Sequence, residues 1–171
     1  ENSNDEEFAG GIVAILETAT IENSKNTGNV IGSTNVGGIA GESKGTITQC
    51  RNDGQVSKVV GVICKTVNLG GLVGKNGEAA RLSNSKNYGN VNSETDTLVN
   101  LGGICGILYN NSIVELCENN GAISGSGKEI IPNEDTNTNC ASCTSNNGGS
   151  ASTDDFGQLN IGIIYGKYQE I

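Results

Sequence analysis

The sequence predicts an all-β fold, a β-solenoid or parallel β-helix of about five short repeats carrying a long, disulfide-tied loop insertion. Three observations predict it. A double glycine returns at residues 10, 37, 70 and 102, so its spacing is 27 to 33 residues. A second motif, small-x-Asn-x-Gly-x-Val/Ile, recurs in its own phase. The apolar stretches are short and rich in β-branched residues, whereas a helix needs about 10 or more periodic residues. Repeats of this length cannot bury an apolar face alone, so neighbours must stack, each adding strands at about 4.8 Å.

The first half of the repeat reads Phe8-Ala-Gly-Gly-Ile-Val, Asn35-Val-Gly-Gly-Ile-Ala-Gly, Asn68-Leu-Gly-Gly-Leu-Val-Gly and Asn100-Leu-Gly-Gly-Ile-Cys-Gly, with a degenerate Asn160-Ile-Gly-Ile-Ile-Tyr-Gly. The second half reads Ser24-Lys-Asn-Thr-Gly-Asn-Val, Cys50-Arg-Asn-Asp-Gly-Gln-Val, Ser85-Lys-Asn-Tyr-Gly-Asn-Val and Cys117-Glu-Asn-Asn-Gly-Ala-Ile. An aliphatic side chain, Ile21, Ile47, Leu82 or Val114, stands five residues before each of those asparagines. We expect two or three short strands per repeat. Gly28, Gly54, Gly89 and Gly121 are expected as turn residues with positive φ. The double glycines mark close approach of another backbone and hence a thin wall.

Stacking brings like positions over one another. Asn26, Asn52, Asn87 and Asn119 form one candidate ladder, and Asn35, Asn68, Asn100 and Asn160 another. A side-chain amide can donate to one neighbour and accept from the next, so a buried column satisfies itself. Solvent-facing turn asparagine is the alternative.

The expected organisation is an acidic arm over 1–7, repeats one to four over 8–126, an Asn/Ser/Thr-rich insertion with a CxxC over 127–157, and an incomplete fifth repeat over 158–171. The insertion is a candidate partner-contacting or lateral-assembly feature.

The segments Gly38-Ile-Ala-Gly41, Gly71-Leu-Val-Gly74 and Gly103-Ile-Cys-Gly106, each with an Asn-x-Gly-x-Val/Ile half, resemble the GLUG motif repeats of bacterial surface proteins. The resemblance covers residues 9–125 and, loosely, 158–166. Such repeats occur in adhesin-like proteins and in stalks of IgA-cleaving metallopeptidases. The resemblance implies an extracellular or cell-surface location and a spacer or binding role, with no catalytic residue. The first copy has Ala14 in place of the third glycine, and the fifth keeps only one glycine of the pair.

Composition narrows the chemistry. With no His, His-based triads and His-ligated metals are excluded. A formal charge of −9 argues against nucleic acid and anionic membrane as partners. No apolar run reaches the roughly 20 residues that span a bilayer, so membrane insertion is not expected. The chain opens at Glu1 without Met or a signal-peptide core, which reads as a processed or excised segment. The glycines fit no dinucleotide fingerprint, calcium lacks the Asp that follows the glycines of calcium-binding nonapeptide repeats, and no cofactor is expected.

The candidate disulfide cysteines are Cys50, Cys64, Cys105, Cys117, Cys140 and Cys143. Cys50 and Cys117 hold the same repeat position with Ser85 between them, about 9.6 Å apart at two strand spacings. That is beyond disulfide reach. Each is therefore expected to pair with Cys140 or Cys143, leaving Cys64 with Cys105. A buried thiol at Cys105 and a four-cysteine zinc site are alternatives. Asn110 begins a glycosylation sequon.

The expected function is that of an extracellular structural protein and not an enzyme. It would be a fibre subunit assembling head to tail through open ends, or an adhesive or spacer surface. An excised stalk segment of a long adhesin or surface peptidase is the alternative, with neighbouring repeats of a larger chain as partners. A host or cell-surface ligand is a further candidate partner, and a carboxylate-based carbohydrate-active β-helix is the distant alternative.

Overall fold

A computed structural model describes residues 7–60, 66–93, 98–109, 111–132, 140–146, 149–162 and 165–169, with side chains described through 126 and at 142–146. It contains strands and turns and, among these residues, no helix. The strands are β1 (Phe8–Gly10), β2 (Val13–Leu16), β3 (Thr20–Glu22), β4 (Lys25–Asn26) and β5 (Val30–Gly32) at a first level. Above them lie β6 (Asn35–Gly37), β7 (Ala40–Ser43), β8 (Thr46–Thr48), β9 (Arg51–Asn52) and β10 (Val56–Lys58). The third level holds β11 (Thr66–Gly70), β12 (Val73–Asn76), β13 (Arg81–Ser83), β14 (Lys86–Asn87) and β15 (Val91–Ser93). The fourth holds β16 (Leu98–Gly102), β17 (Cys105–Tyr109), β18 (Ile113–Glu115), β19 (Glu118–Asn119) and the start of β20 (Ile123–Pro132). Five strands per level replace the expected two or three, because each corner interrupts a strand after two to five residues.

Among the described residues all pairing is parallel, and the repeat positions stack on one another. Asn35 lies opposite Asn68, and Asn68 opposite Asn100. Ile21, Ile47, Leu82 and Val114 stack in one register. The strands form four sheets, one of nine strands and three of five. Two apolar clusters fill the interior. Val30, Val36, Val56, Leu69, Val91 and Leu101 belong to one, and Ile39, Ile47, Leu72, Leu82 and Ile104 to the other. Each such side chain contributes about 1.5–3 kcal/mol by leaving water, which lets aliphatics substitute for scarce aromatics.

The stretch 127–157 departs from the expected insertion. Two short strands within it, β21 (Cys140–Ala141) and β22 (Thr144–Ser145), continue the stack on β18 and β19. Next, β23 (Gly149–Gly162) lies along β20, and β24 (Tyr165–Gln169) lies on β17. These strands therefore join the four sheets out of chain order. Thr144 and Ser145 lie on Glu118 and Asn119, and residues 159–162 then take the position on β16. Asn160 lies between Asn100 and Ile131, so the end of β20 flanks the last level and that edge is not bare.

The positive-φ expectation for Gly28, Gly54, Gly89 and Gly121 is also corrected, since none of the four occupies that region. The left-handed corner falls instead on Asn23, Gln49, Asn84, Leu116 and Ser142, with φ between 49° and 56°. What the glycines provide is room. A Cβ at Gly54 would lie 1.9 Å from the Gly28 carbonyl oxygen one level below.

Candidate functional site: paired asparagine ladders

Each Asn-x-Gly unit folds locally around its glycine. The Asn52 Nδ2 donates to the Gly54 carbonyl at 2.8 Å, and its Oδ1 accepts the Gly54 N–H at 3.2 Å. Asn26, Asn87 and Asn119 repeat both bonds with Gly28, Gly89 and Gly121. This bracket fixes which end of the amide is which, because a flipped amide would set NH₂ against N–H.

With orientation fixed, the remaining donor and lone pair point along the stack. Asn26 donates to Asn52 at 2.8 Å, Asn52 to Asn87 at 2.9 Å and Asn87 to Asn119 at 2.8 Å. Asn119 then donates to the Ser145 hydroxyl at 3.2 Å. Asn52, Asn87 and Asn119 are fully buried. Asn52 and Asn87 each make two local and two ladder bonds, which satisfies the amide. A buried amide without partners would cost about 2–7 kcal/mol.

The second ladder runs the other way. Asn100 donates to Asn68 and Asn68 to Asn35, both at 2.6 Å. Asn160 shares the register, with its side chain outside the described set. Phe8 takes the Asn position below Asn35. One ladder thus donates toward later levels and the other toward earlier ones.

The glycine pairs are shaped by the first ladder. A Cβ on Gly38 would lie 2.2 Å from Asn52 Cγ, and one on Gly71 would lie 2.3 Å from Asn87 Nδ2. Gly10, Gly37 and Gly70, the first glycines of three of the pairs, have no room against backbone. At Gly37 a Cβ would meet the Ala40 carbonyl oxygen at 2.1 Å. The two sequence motifs are therefore faces of one contact, with the second glycine lying on the asparagine rail.

The cysteines have a different role from the expected one. Ser24, Cys50, Ser85, Cys117 and Cys143 form a column joined by backbone hydrogen bonds from the residue after each to the carbonyl below. Ser24 Oγ donates to the Glu22 carbonyl at 2.9 Å and Ser85 Oγ to Ser83 at 2.8 Å. Cys50 and Cys117 direct Sγ at the matching carbonyls of Thr48 and Glu115, at 3.2 and 3.3 Å. The thiol here stands in for a hydroxyl beside the left-handed corner.

Cys50, Cys105 and Cys117 are free thiols, which overturns the pairing of Cys50 and Cys117 with the CxxC and of Cys105 with Cys64. Burial raises the Cys50 thiol pKa, and burial followed by the neighbouring Cys117 raises that of Cys105. Burial pushes Cys117 up to about 12. Cys143 is disulfide-bonded, to a partner outside the described side chains. Cys64 and Asn110, the acceptor residue of the sequon, lie outside the described residues, and Cys140 is described only as backbone, facing Val114.

Ion pairs line the outer faces. Asp53 receives Lys25 at 2.8 Å and Arg51 at 2.5 Å, and Glu118 receives Lys86 at 2.8 Å. The Arg51 guanidinium foremost, and then Lys25, holds the Asp53 carboxyl below its usual pKa. Lys86 foremost does the same for Glu118. Arg51 also lies over the Tyr88 ring at 4.2 Å. Among the described residues no cluster of three or more His, Cys, Asp or Glu is placed to hold a metal.

The fold and rails together define a class, the parallel β stack with internal amide ladders. No family model, curated protein or solved structure matches the chain.

Proposed function

We propose that the chain is a structural element of an extracellular surface. In this reading its levels close into a five-level parallel β-solenoid that serves as a spacer or adhesive surface and as a fibre subunit. The observation that carries the proposal is the continuous rail from Asn26 to Asn119, which ties four levels into one register through buried bonds. Such an interior is built to hold shape along an axis. Its amides are committed to one another and its glycines to backbone contact. The GLUG-like repeats of residues 9–125 support a surface location, and the net charge of −9 suits a solvated exterior. The proposal assigns no reaction to the chain.

The location is tested by immunogold labelling of intact cells of the source organism. Gold on the outer surface is expected. Label that appears only after permeabilisation contradicts the surface role.

A further inference from the structure

The buried polar atoms that lack a partner in this interior fall together. Among the described residues, the buried side-chain nitrogens and oxygens with no hydrogen-bond partner are Ser43 Oγ and both Oδ1 and Nδ2 of Asn76. Both residues are 0% exposed. Asn76 on β12 lies directly opposite Ser43 on β7, so the three atoms belong to neighbouring levels. The rails behave differently, since Asn52 and Asn87 are just as buried and each makes four hydrogen bonds.

The same column holds Leu16 one level below Ser43 and Leu108 one level above Asn76. Those two leucines belong to the apolar cluster of Ile47 and Leu82, so serine and asparagine interrupt an otherwise apolar column. A buried amide left without partners costs about 2–7 kcal/mol, against a net stability of about 5–15 kcal/mol for a whole folded chain. The three atoms therefore call for a partner that the chain does not supply.

Their chemistry selects it. Asn76 Nδ2 carries N–H donors, Oδ1 accepts, and the Ser43 hydroxyl does either. A cation would face the N–H groups and an anion would face Oδ1, whereas a small neutral molecule that both donates and accepts suits all three. The neighbouring charges are already engaged with one another, Glu42 receiving Lys75 at 3.2 Å and Lys44 at 3.9 Å. Serine where the column has leucine above and below leaves room for the about 30 Å³ that a water fills.

We propose that Ser43 and Asn76 bind one buried water molecule between β7 and β12. The water accepts from Asn76 Nδ2, donates one hydrogen to Asn76 Oδ1 and donates the other to Ser43 Oγ. Each of the three atoms then has a partner, and the water makes about three hydrogen bonds, the usual number for a buried one. The bound water ties the second level to the third on the sheet of β2, β7, β12, β17 and β24, which carries neither asparagine rail. Leu16 and Leu108 close the column on either side, so the site holds to these two levels.

Water-selective nuclear and rotating-frame Overhauser spectra of the 171-residue chain test the site. The Asn76 Nδ2 protons should show dipolar cross-peaks to water with the sign of a long-lived contact. The Asn52 Nδ2 protons, bonded to the Gly54 carbonyl and to Asn87, should show none. Oxygen-17 relaxation dispersion, which counts long-lived waters, should fall by one water in Ser43→Ala/Asn76→Leu, with the fold checked by circular dichroism. A variant that does not fold leaves the decision to the wild-type spectra. Absence of the Asn76 cross-peaks, peaks of the short-lived kind given by exposed Asn29, or an unchanged water count in the folded double variant would overturn the proposal.

Discussion

A Cβ on Gly89 would sit 1.8 Å from the carbonyl oxygen of Gly54, the glycine one level below it. The same motif position at Gly28 meets nothing nearer than its own Asn26 Oδ1 at 3.7 Å. This contrast separates two explanations of the Asn-x-Gly motif. If glycine were needed for its dihedral angles, Gly28→Ala and Gly89→Ala would cost alike. With room as the cause, Gly28→Ala changes stability by less than about 0.5 kcal/mol while Gly89→Ala costs about 3 kcal/mol or more. Urea denaturation of the two variants reads the difference.

Asn87 lies at the middle of its rail and makes four hydrogen bonds. Asn87→Leu removes all four and strands a donor on Asn52 and an acceptor on Asn119. Each buried unsatisfied group costs about 1–3 kcal/mol, so the variant should lose at least about 3 kcal/mol in chemical denaturation. Asn29, an exposed asparagine outside the rails, should tolerate the same change with little loss.

Leu116 adopts φ of 52° and is 53% exposed. The equivalent corners at Asn23 and Asn84 use a residue that tolerates this region, and leucine pays a steric penalty there. Leu116→Asn is expected to stabilise the protein by about 0.5–1 kcal/mol, seen as a higher urea midpoint with an unchanged slope.

The thiols give a chemical readout. Cys105 and Cys117 are buried and hard to ionise, so alkylation near neutral pH should be slow in the folded protein and fast in denaturant. Mass spectrometry after a native pulse should find both unmodified. Cys50→Ser and Cys117→Ser should retain the fold, since Ser24 and Ser85 hold the same place in the column. Peptide maps joining Cys50 to Cys117 would contradict the register.

Asp53 and Glu118 have folded pKa values below their unfolded ones, lowered by Arg51 and Lys86 respectively. Their contribution to stability is present above the unfolded carboxylate pKa and is lost as pH falls through the folded value. Stability should therefore decline from about pH 5 to about pH 2, and Asp53→Asn should flatten part of that decline. Both pairs are on the surface, so high salt should shrink the effect.

Much of this architecture is legible in the sequence because stacking forces like residues into one column. The registers of Asn35, Asn68 and Asn100, and of Ile21, Ile47 and Leu82, follow directly from aligning the repeats. The pairing of the last strands is harder to see. Ser145 replaces the rail asparagine and Cys140 the aliphatic anchor, and residues 159–162 and 165–169 return onto β16 and β17 only afterwards. The opposed directions of the two rails depend on backbone geometry that composition does not encode. The cysteines mislead because alternation of Ser24, Cys50, Ser85 and Cys117 means a shared hydrogen bond, while cysteine number alone suggests bridges.

Hydrogen exchange of the asparagine side-chain amides, followed by NMR, tests the rail most directly. The Nδ2 protons of Asn52 and Asn87, buried and paired on both sides, should exchange orders of magnitude more slowly than those of exposed Asn29 and Asn90. Equal, fast exchange at all four positions would show that the asparagines face solvent and that no rail joins the levels.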